Sequence, residues 1–302
     1  MSKHIHFVSS STDFLASKRM RVDRPAKLLS EAGYKVTVGP EVNPDADVLI
    51  FQKHMNQRYD AAMVSIFKGN KKVIFDVADS HFNGKLHDYY ASMINAADLV
   101  TASGPNLAEQ IKEITGKDSS VCNDPITFPH YPYRPGNKDT PSLLWFGSAT
   151  NLGPLHALLH EVGDTHLTVI SNPHPMVPGP DGKPPYEFIE WQPNLVETEI
   201  WKYDAVIIPI GDDPTKQNKN TNRAVDALMA GRFVITDSMR VYGELEPFIF
   251  IGPLDQGIQF LKDNPDKVKQ MVKDGQDYVR EKYSDVVIKQ QWKSAVEKVL
   301  SV

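Results

Sequence analysis

Cysteine is nearly absent: Cys122 is the only one in 302 residues. No internal disulfide can form, and a reducing compartment fits. Within SSVCN that residue reads as a small buried hydrophobe in preference to a catalytic thiol. Long apolar runs are missing as well. No stretch approaches the length of a membrane-spanning helix, and residues 1–10 alternate like a strand without the apolar core of a signal peptide. A soluble, cytoplasmic protein is expected, with peripheral attachment to a membrane left open. The histidines are scattered without zinc-like spacing, so no metal site is expected. There is no Walker loop, no nucleophile elbow and no G-x-G-x-x-G fingerprint, which disfavours NTP hydrolysis, esterase chemistry and hydride transfer in turn. Positive charge is not in excess either. The 33 Lys and Arg against 38 Asp and Glu leave a net charge of -5. That argues against a nucleic acid held by global electrostatics, although local basic patches remain available.

What is there suits a globular protein of two domains. With 41% hydrophobic and 24% charged residues the chain is neither disordered nor fibrous, and its length allows two cores. Short apolar runs alternate with helical patterns. His4–Ser9, Lys35–Val38, Asp47–Phe51, Lys72–Phe75, Leu99–Thr101 and Ser119–Cys122 read as strands. Helix-like stretches separate them at Pro25–Ala32, Arg58–Lys68, His87–Ala96 and Asn106–Thr115. Such alternation implies parallel strands with right-handed helical crossovers. A second series runs Ser142–Phe146, Leu167–Ile170, Phe188–Glu190, Ala205–Pro209, Phe233–Thr236 and Phe248–Ile251. Between the series lies the proline-rich DPITFPHYPYRPGNKDTPS, which reads as an interdomain linker. Expected domains are therefore 1–138 and 139–302. The Pro/Gly-rich PHPMVPGPDGKPP (173–185) reads as a surface loop.

The segment Lys216–Thr236, KQNKNTNRAVDALMAGRFVIT, opens polar and basic, becomes an amphipathic helix, breaks at Gly231 and ends in a strand. A helix entrance offers free backbone N–H groups and the positive end of its dipole, here beside Lys219 and Arg223. Asp226 shares a helical face with Arg223 and Asn222. A cation and a carboxylate one turn apart suit a diphosphate and a sugar diol. The same residues also describe a solvated helix start with an ordinary ion pair.

Ligands of open α/β sheets bind beyond the carboxyl ends of the strands, so polar residues just after strands are the candidates. Gly147–Ser148 form a small turn where backbone N–H groups could approach a phosphate. Asp76, Asp79 and His81 follow the strand Lys72–Phe75, where a carboxylate and an imidazole could orient a hydroxyl or spread positive charge. They could equally be a helix cap and a packed ring. SKRMRVDR (Ser17–Arg24) concentrates cations, either a solvated helix face or a site for an anionic ligand. Asp212–Asp213, in GDDPT, reads as a turn and not as a metal-binding pair.

NKNTNRAVDALMAGRFVIT resembles the donor-site segment of GT-B glycosyltransferases of the retaining family 4 group, with its Lys-Ser-Asn-like turn, helix, Gly and Val-Ile strand. LLWFGSATNLGPL (Leu143–Leu155) is similar to the first strand and loop of their C-terminal domain. KVIFDVADSHF (Lys72–Phe82) and ADLVTASGPNLAEQI followed by VCNDPI (Ala97–Ile126) are similar to segments of the N-terminal one. The matches fall in family order along most of the chain. Two departures stand out: Asn218 and Asp226 occupy the places of two family glutamates, and SSSTDFLASKRMR replaces the Gly-Gly loop after the first strand.

The resemblance implies two Rossmann-like, doubly wound α/β domains facing across a cleft, the first for an acceptor and the second for a nucleoside diphosphate sugar. It also implies a final helix, about 285–302, crossing back to the first domain on a stripe of Val286, Val287, Trp292, Val296 and Leu300. The implied activity is sugar transfer to an acceptor hydroxyl with retention and without a metal or other cofactor. A UDP-sugar is the expected co-substrate. His81, Asp79, Arg223 and Lys219 are the implied catalytic residues. Gly147, Ser148, Lys216, Asn218, Asn220, Thr221, Asn222 and Asp226 are implied at the donor, and Arg19 and Arg21 at the acceptor. That acceptor stays open among a glycan, a lipid-linked sugar, a small molecule and a modified nucleic-acid base, and no obligate protein partner is evident. A sugar-nucleotide epimerase of the same fold and a catalytically silent nucleotide-sugar-binding module are the alternatives.

Overall fold

The computed structural model describes residues 2–11, 15–67, 69–137, 139–175, 185–212, 216–218 and 220–301, without the side chains at 57, 58, 61 and 239. Lys219, Asp213 and most of the 173–185 loop lie outside the described residues. The chain divides into two compact units. One comprises Met1–Pro125, Asn218–Asn220 and Tyr283–Val302, and the other Ile126–Gln217 and Thr221–Lys282.

The first unit is built on six parallel strands: β1 (His4–Val8), β2 (Lys35–Gly39), β3 (Val48–Gln52), β4 (Lys72–Val77), β5 (Leu99–Ala102) and β6 (Ser120–Val121). They lie in the order β2-β1-β3-β4-β5-β6. A strand that is apolar on both faces must be covered on both, and β1 and β3 are buried at every position. The period of two sends alternate residues to different cores. Leu49, Phe51, Val73 and Phe75 join one cluster, closed by the helices Gln57–Phe67, His87–Ala96 and Pro105–Thr115. Val48, Ile50 and Ile74 join the other, closed by Arg24–Glu31 and the final helix Asp285–Leu300.

That final helix lies in the first unit, which supplies the second wall of its core. Its buried stripe is Ile288, Trp292, Ala295, Val296 and Val299, a helical face at spacings of three and four. The expected stripe had the right helix and a displaced phase: Val286 is 77% exposed and Ile288 takes the inward place. Trp292 packs on Phe7 of β1 at 5.8 Å between ring centroids.

The second unit repeats the plan with β7 (Ser142–Phe146), β8 (His166–Ser171), β9 (Glu187–Glu190), β10 (Ala205–Ile208), β11 (Phe233–Thr236) and β12 (Phe250–Ile251). These are parallel in the order β12-β11-β10-β7-β8-β9. All twelve strands fall within the runs read from the sequence or overlap them. The last is shorter than expected because Gly243–Phe248 winds as a 3-10 turn.

Residues 126–138 were expected to close the first domain as a linker, and here they belong to the second unit. Thr127 is bonded to Asp226 on the helix Asn222–Met229, the Tyr131 N–H donates to Met229 O at 3.3 Å, and Gln276 donates to Tyr131 O at 2.7 Å. Gly231 makes this possible. A Cβ there would lie 2.6 Å from Tyr131 O and 2.8 Å from Pro132 O, and its φ of +68° is one that few other residues adopt.

Replacing Trp292 by Ala should cost about 3–5 kcal/mol of stability, the range for a large buried aromatic. Urea unfolding monitored by circular dichroism measures it. A loss below about 1 kcal/mol would show that the final helix does not close the core.

Candidate functional site

In a doubly wound sheet the ligand crevice opens where the strand order reverses. In the second unit β8 and β9 lie to one side of β7, with β10, β11 and β12 to the other, so the switch point falls between β7 and β10. Gly147 leaves β7 there with φ +156°, and a Cβ on it would stand 3.3 Å from the Trp145 ring and 3.5 Å from Nη1 of Arg223. Arg223, the second residue of the 222–229 helix, lays its guanidinium 5.9 Å from the centroid of Trp145 and donates to Phe146 O at 3.4 Å. It also hydrogen-bonds to the buried Tyr242 hydroxyl. Among the described residues no carboxylate pairs with Arg223. Ser148 is exposed, its Oγ 3.0 Å from that of Thr150.

The flanking loops are held by defined bonds. Asp237, just past β11, accepts from the N–H groups of Ile210 and Gly211 at 2.7 and 3.0 Å. Gln217 donates to Gly211 O at 2.6 Å and accepts from the Ser238 hydroxyl at 2.7 Å. Lys216 is half-buried, Asn218 is buried, and both have polar partners. Thr221 gives its carbonyl to the N–H groups of Ala224 and Val225, and Asn222 opens the helix.

Two expected donor contacts are already spent elsewhere. Asp226 is buried, and its oxygens accept from Thr127 N at 2.7 Å, Thr127 Oγ1 at 2.7 Å and Phe128 N at 3.3 Å. It anchors the 127–128 segment. Asn220, grouped with the first unit, donates its side-chain N–H to Asp124.

In the first unit the basic run is also largely consumed. Arg19 is exposed, but Arg21, expected to meet an acceptor, is 1% exposed. Its guanidinium pairs with Asp76 at 2.5 and 3.1 Å and with Asp124 at 3.1 Å, donates to Cys122 O, and lies 5.2 Å from the centroid of Trp292. Asp76 accepts in addition from Thr101 Oγ1 at 2.7 Å. Arg24 pairs with Asp285, and Lys18 with Asp23 at 2.8 Å. Asp79 pairs with Lys53, and the His81 ring lies 5.1 Å from Tyr90. Among the described residues no group of three His, Cys, Asp or Glu could hold a metal ion, and no helix is long and apolar enough to cross a membrane.

No family model matches the sequence, and no curated protein matches it. Solved structures do. Anabaena HepE in complex with UDP-glucose superposes with a TM-score of 0.72 at 13% identity, over 98% of this chain and 99% of that one. The lipopolysaccharide outer core galactosyltransferase WaaB follows at 0.64 and 14%, over 98% and 99%. The pneumococcal O-GlcNAc transferase GtfA in complex with UDP and GlcNAc gives 0.58 and 13%, over 91% of this chain and 59% of that one. The fold is GT-B.

Within this GT-B chain one cluster escaped the reading of the sequence. His54 follows β3 between two non-glycine residues in the left-handed region, Lys53 at φ +44° and Met55 at φ +57°. Its Nδ1 is 2.5 Å from Oδ1 of the fully buried Asp60, whose Oδ2 accepts from the Tyr89 hydroxyl at 2.5 Å. The Met55 backbone in turn hydrogen-bonds to Tyr89, and burial, then the hydrogen bond to Asp60 and its charge, push that phenol well above its usual range. Tyr89 therefore stays protonated and donates. The signal was His two residues past a strand with Asp six residues further on, a spacing that only the turn into the 57–67 helix brings together.

Burial pushes the Asp226 carboxyl up to about 7, against the opposing bonds from Thr127, and the Asp124 carboxyl up to about 6, against Arg21. Both folded values lie above the unfolded one near 4, so the folded state holds protons that the unfolded state has released. Their contribution is complete at pH 4 and is lost as pH rises through 6 and 7. Asp226→Asn should flatten this fall, on the order of 2–4 kcal/mol across that window. Denaturant unfolding at pH 4.5 and 7.5 measures it, and equal slopes for mutant and wild type would contradict the assignment.

Proposed function

We propose that this chain is a glycosyltransferase that moves a sugar from a nucleoside diphosphate sugar to an acceptor hydroxyl. The observation that carries the reading is Arg223. It is a half-buried guanidinium at the switch point of the second sheet, beside a glycine, with no carboxylate to neutralise it among the described residues. Half-burying a cation without a counter-ion is costly unless an anion completes the site. Two phosphates next to a helix start meet that requirement. The fold shared with HepE, described with UDP-glucose, and with GtfA, described with UDP and GlcNAc, supports a UDP-sugar as that anion.

Charge builds on the diphosphate as the anomeric bond breaks, so a cation fixed in advance favours the transition state over the bound donor. Arg223 takes this part, and Lys219 is assigned to it from the sequence. Gly147, Ser148, Thr221 and Asn222 serve the phosphates through small side chains and backbone N–H groups. Asp226 acts at one remove, by fixing the helix to residues 127–128. His81 and Asp79 are assigned to the acceptor side in the first unit. Retention at the anomeric carbon and independence of a metal are part of the proposal, on resemblance.

Calorimetry with UDP tests the reading. Arg223→Ala should lose about 1.5–3 kcal/mol of binding, the worth of a charge-assisted contact, or roughly 10–100-fold in Kd. Its circular dichroism should be unchanged. Equal affinity in both proteins would remove Arg223 from the site. Mass spectrometry of UDP-glucose incubated with pooled alcohols and sugars then separates the outcomes. A glycoside product supports transfer, an altered UDP-sugar without acceptor indicates an epimerase, and binding without any turnover indicates a silent module.

A further inference from the structure

Asparagine followed by glycine occurs once in the chain, at Asn83–Gly84. The pair lies in the turn between β4 and the helix His87–Ala96, and both residues are exposed. A loop asparagine commonly spends its side chain on a nearby backbone group. Asn43, Asn56 and Asn172 do so, their Oδ1 atoms accepting from Asp45 N at 3.0 Å, Tyr59 N at 3.3 Å and Ala149 N at 2.9 Å. Asn83 makes no such bond among the described residues. The Gly84 carbonyl accepts from His87 N at 3.0 Å, while its N–H is unpaired among the described residues. A Cβ on Gly84 would meet nothing within 4 Å, and its φ is negative. The fold therefore neither requires a glycine here nor covers the peptide nitrogen.

A side-chain carboxamide can be attacked by the backbone nitrogen of the next residue, which closes a five-membered ring. In helices and strands that N–H is bonded and the backbone fixed, so the reaction is blocked. A β-carbon on the following residue crowds the nitrogen, and glycine has none. Asn83–Gly84 meets each requirement: an unbonded amide, an unbonded N–H, an open turn and no β-carbon. The turn is nevertheless anchored on both sides. Phe82 is 4% exposed with its ring 6.0 Å from Tyr90, and the Gly84 carbonyl holds the start of the 87–96 helix.

We infer that Asn83 is a site of spontaneous covalent modification, losing its side-chain amide to give aspartate and isoaspartate. Hydroxide from solvent takes the Gly84 N–H proton, and that nitrogen forms a bond to Cγ of Asn83. The bond from Cγ to Nδ2 breaks, and Nδ2 takes a proton from water and leaves as ammonia. Water then adds to one of the two ring carbonyls. Opening at Cγ leaves aspartate, and opening at the backbone carbonyl carbon leaves a main chain that runs through Cβ and Cγ. Water is the only co-reactant, and nothing is oxidised or reduced. Either product sets a carboxylate two residues past His81. The iso product also inserts a carbon into the main chain between buried Phe82 and the start of the helix, so it pulls on both. The reaction is independent of sugar transfer.

Peptide mapping of the whole protein, held in warm, mildly alkaline buffer and sampled over days, tests this. Trypsin releases VIFDVADSHFNGK (73–85), in which Asn83 is the only side-chain amide, so a gain of one dalton reports that residue alone. The wild type should show the gain progressively, in two products that separate on chromatography. One of them should accept a methyl group from isoaspartyl methyltransferase. Asn83→Gln should yield no methyl-accepting peptide. Gly84→Ala, which the negative φ and the open space admit, should slow conversion several-fold with unchanged circular dichroism. The same chain in guanidinium chloride supplies the unfolded rate, and the folded rate should lie within a few-fold of it. An Asn83 still intact in the folded protein, whether or not it converts when unfolded, would overturn the proposal. Conversion of Gly84→Ala at the wild-type rate would overturn it too, since the attacking nitrogen would not be that of Gly84.

Discussion

A single guanidinium ties the first unit together. Arg21 leaves a π-turn at Arg19–Asp23, pairs with Asp76 at the end of β4 and with Asp124 where the chain leaves the sheet, and lies against Trp292 of the final helix. Each of these elements comes from a different part of the sequence. Burying one cation among two carboxylates is not in itself a large gain, because desolvation offsets most of the attraction. Losing one partner is expensive, since it strands a buried charge, on the order of 3–5 kcal/mol. The network therefore acts on which arrangement is populated. A final helix docked in another register would separate Trp292 from the guanidinium, and a shifted exit strand would leave Asp124 unpaired.

The same network reaches the segment with the densest resemblance to a donor site. Asp124 accepts from Asn220, so residues 218–220 group with the first unit although both flanks belong to the second. Asp226 does the converse for residues 127–128, which it binds into the second unit directly after the chain has left the first. Two buried carboxylates thus fix where each crossing segment belongs. Both are buried in the fold.

The architecture was legible because each strand run is short, apolar and bounded by polar or turn residues, and a run buried on both faces has only a parallel sheet to join. Periodicity located the final helix and missed its phase, since Val286 and Ile288 are equally apolar and only the facing sheet distinguishes them. The unit to which residues 126–137 belong was not legible for a related reason. Prolines mark where a chain cannot be regular, and they do not say which unit supplies the partners for Thr127 and Tyr131. At the site, Gly147 and Arg223 were legible, because a glycine after a strand and a cation at a helix start are local patterns. The burial of Arg21 and Asp226 was not legible, because a charged residue in sequence carries no mark of it. Their partners lie 55 to 103 and 98 to 99 residues away.

His54 shows what such a reading overlooks. A lone histidine in FQKHMN looks like any polar loop residue, and His81, with Asp nearby in sequence, looked the stronger. The His81 ring lies against Tyr90, and His54 has a buried carboxylate on Nδ1 and a phenol behind it. An imidazole with one nitrogen committed presents the other in a defined state, and chemistry depends on that state more than on the presence of a histidine. The loop accepts two left-handed residues to keep it so, at about 1–2 kcal/mol each.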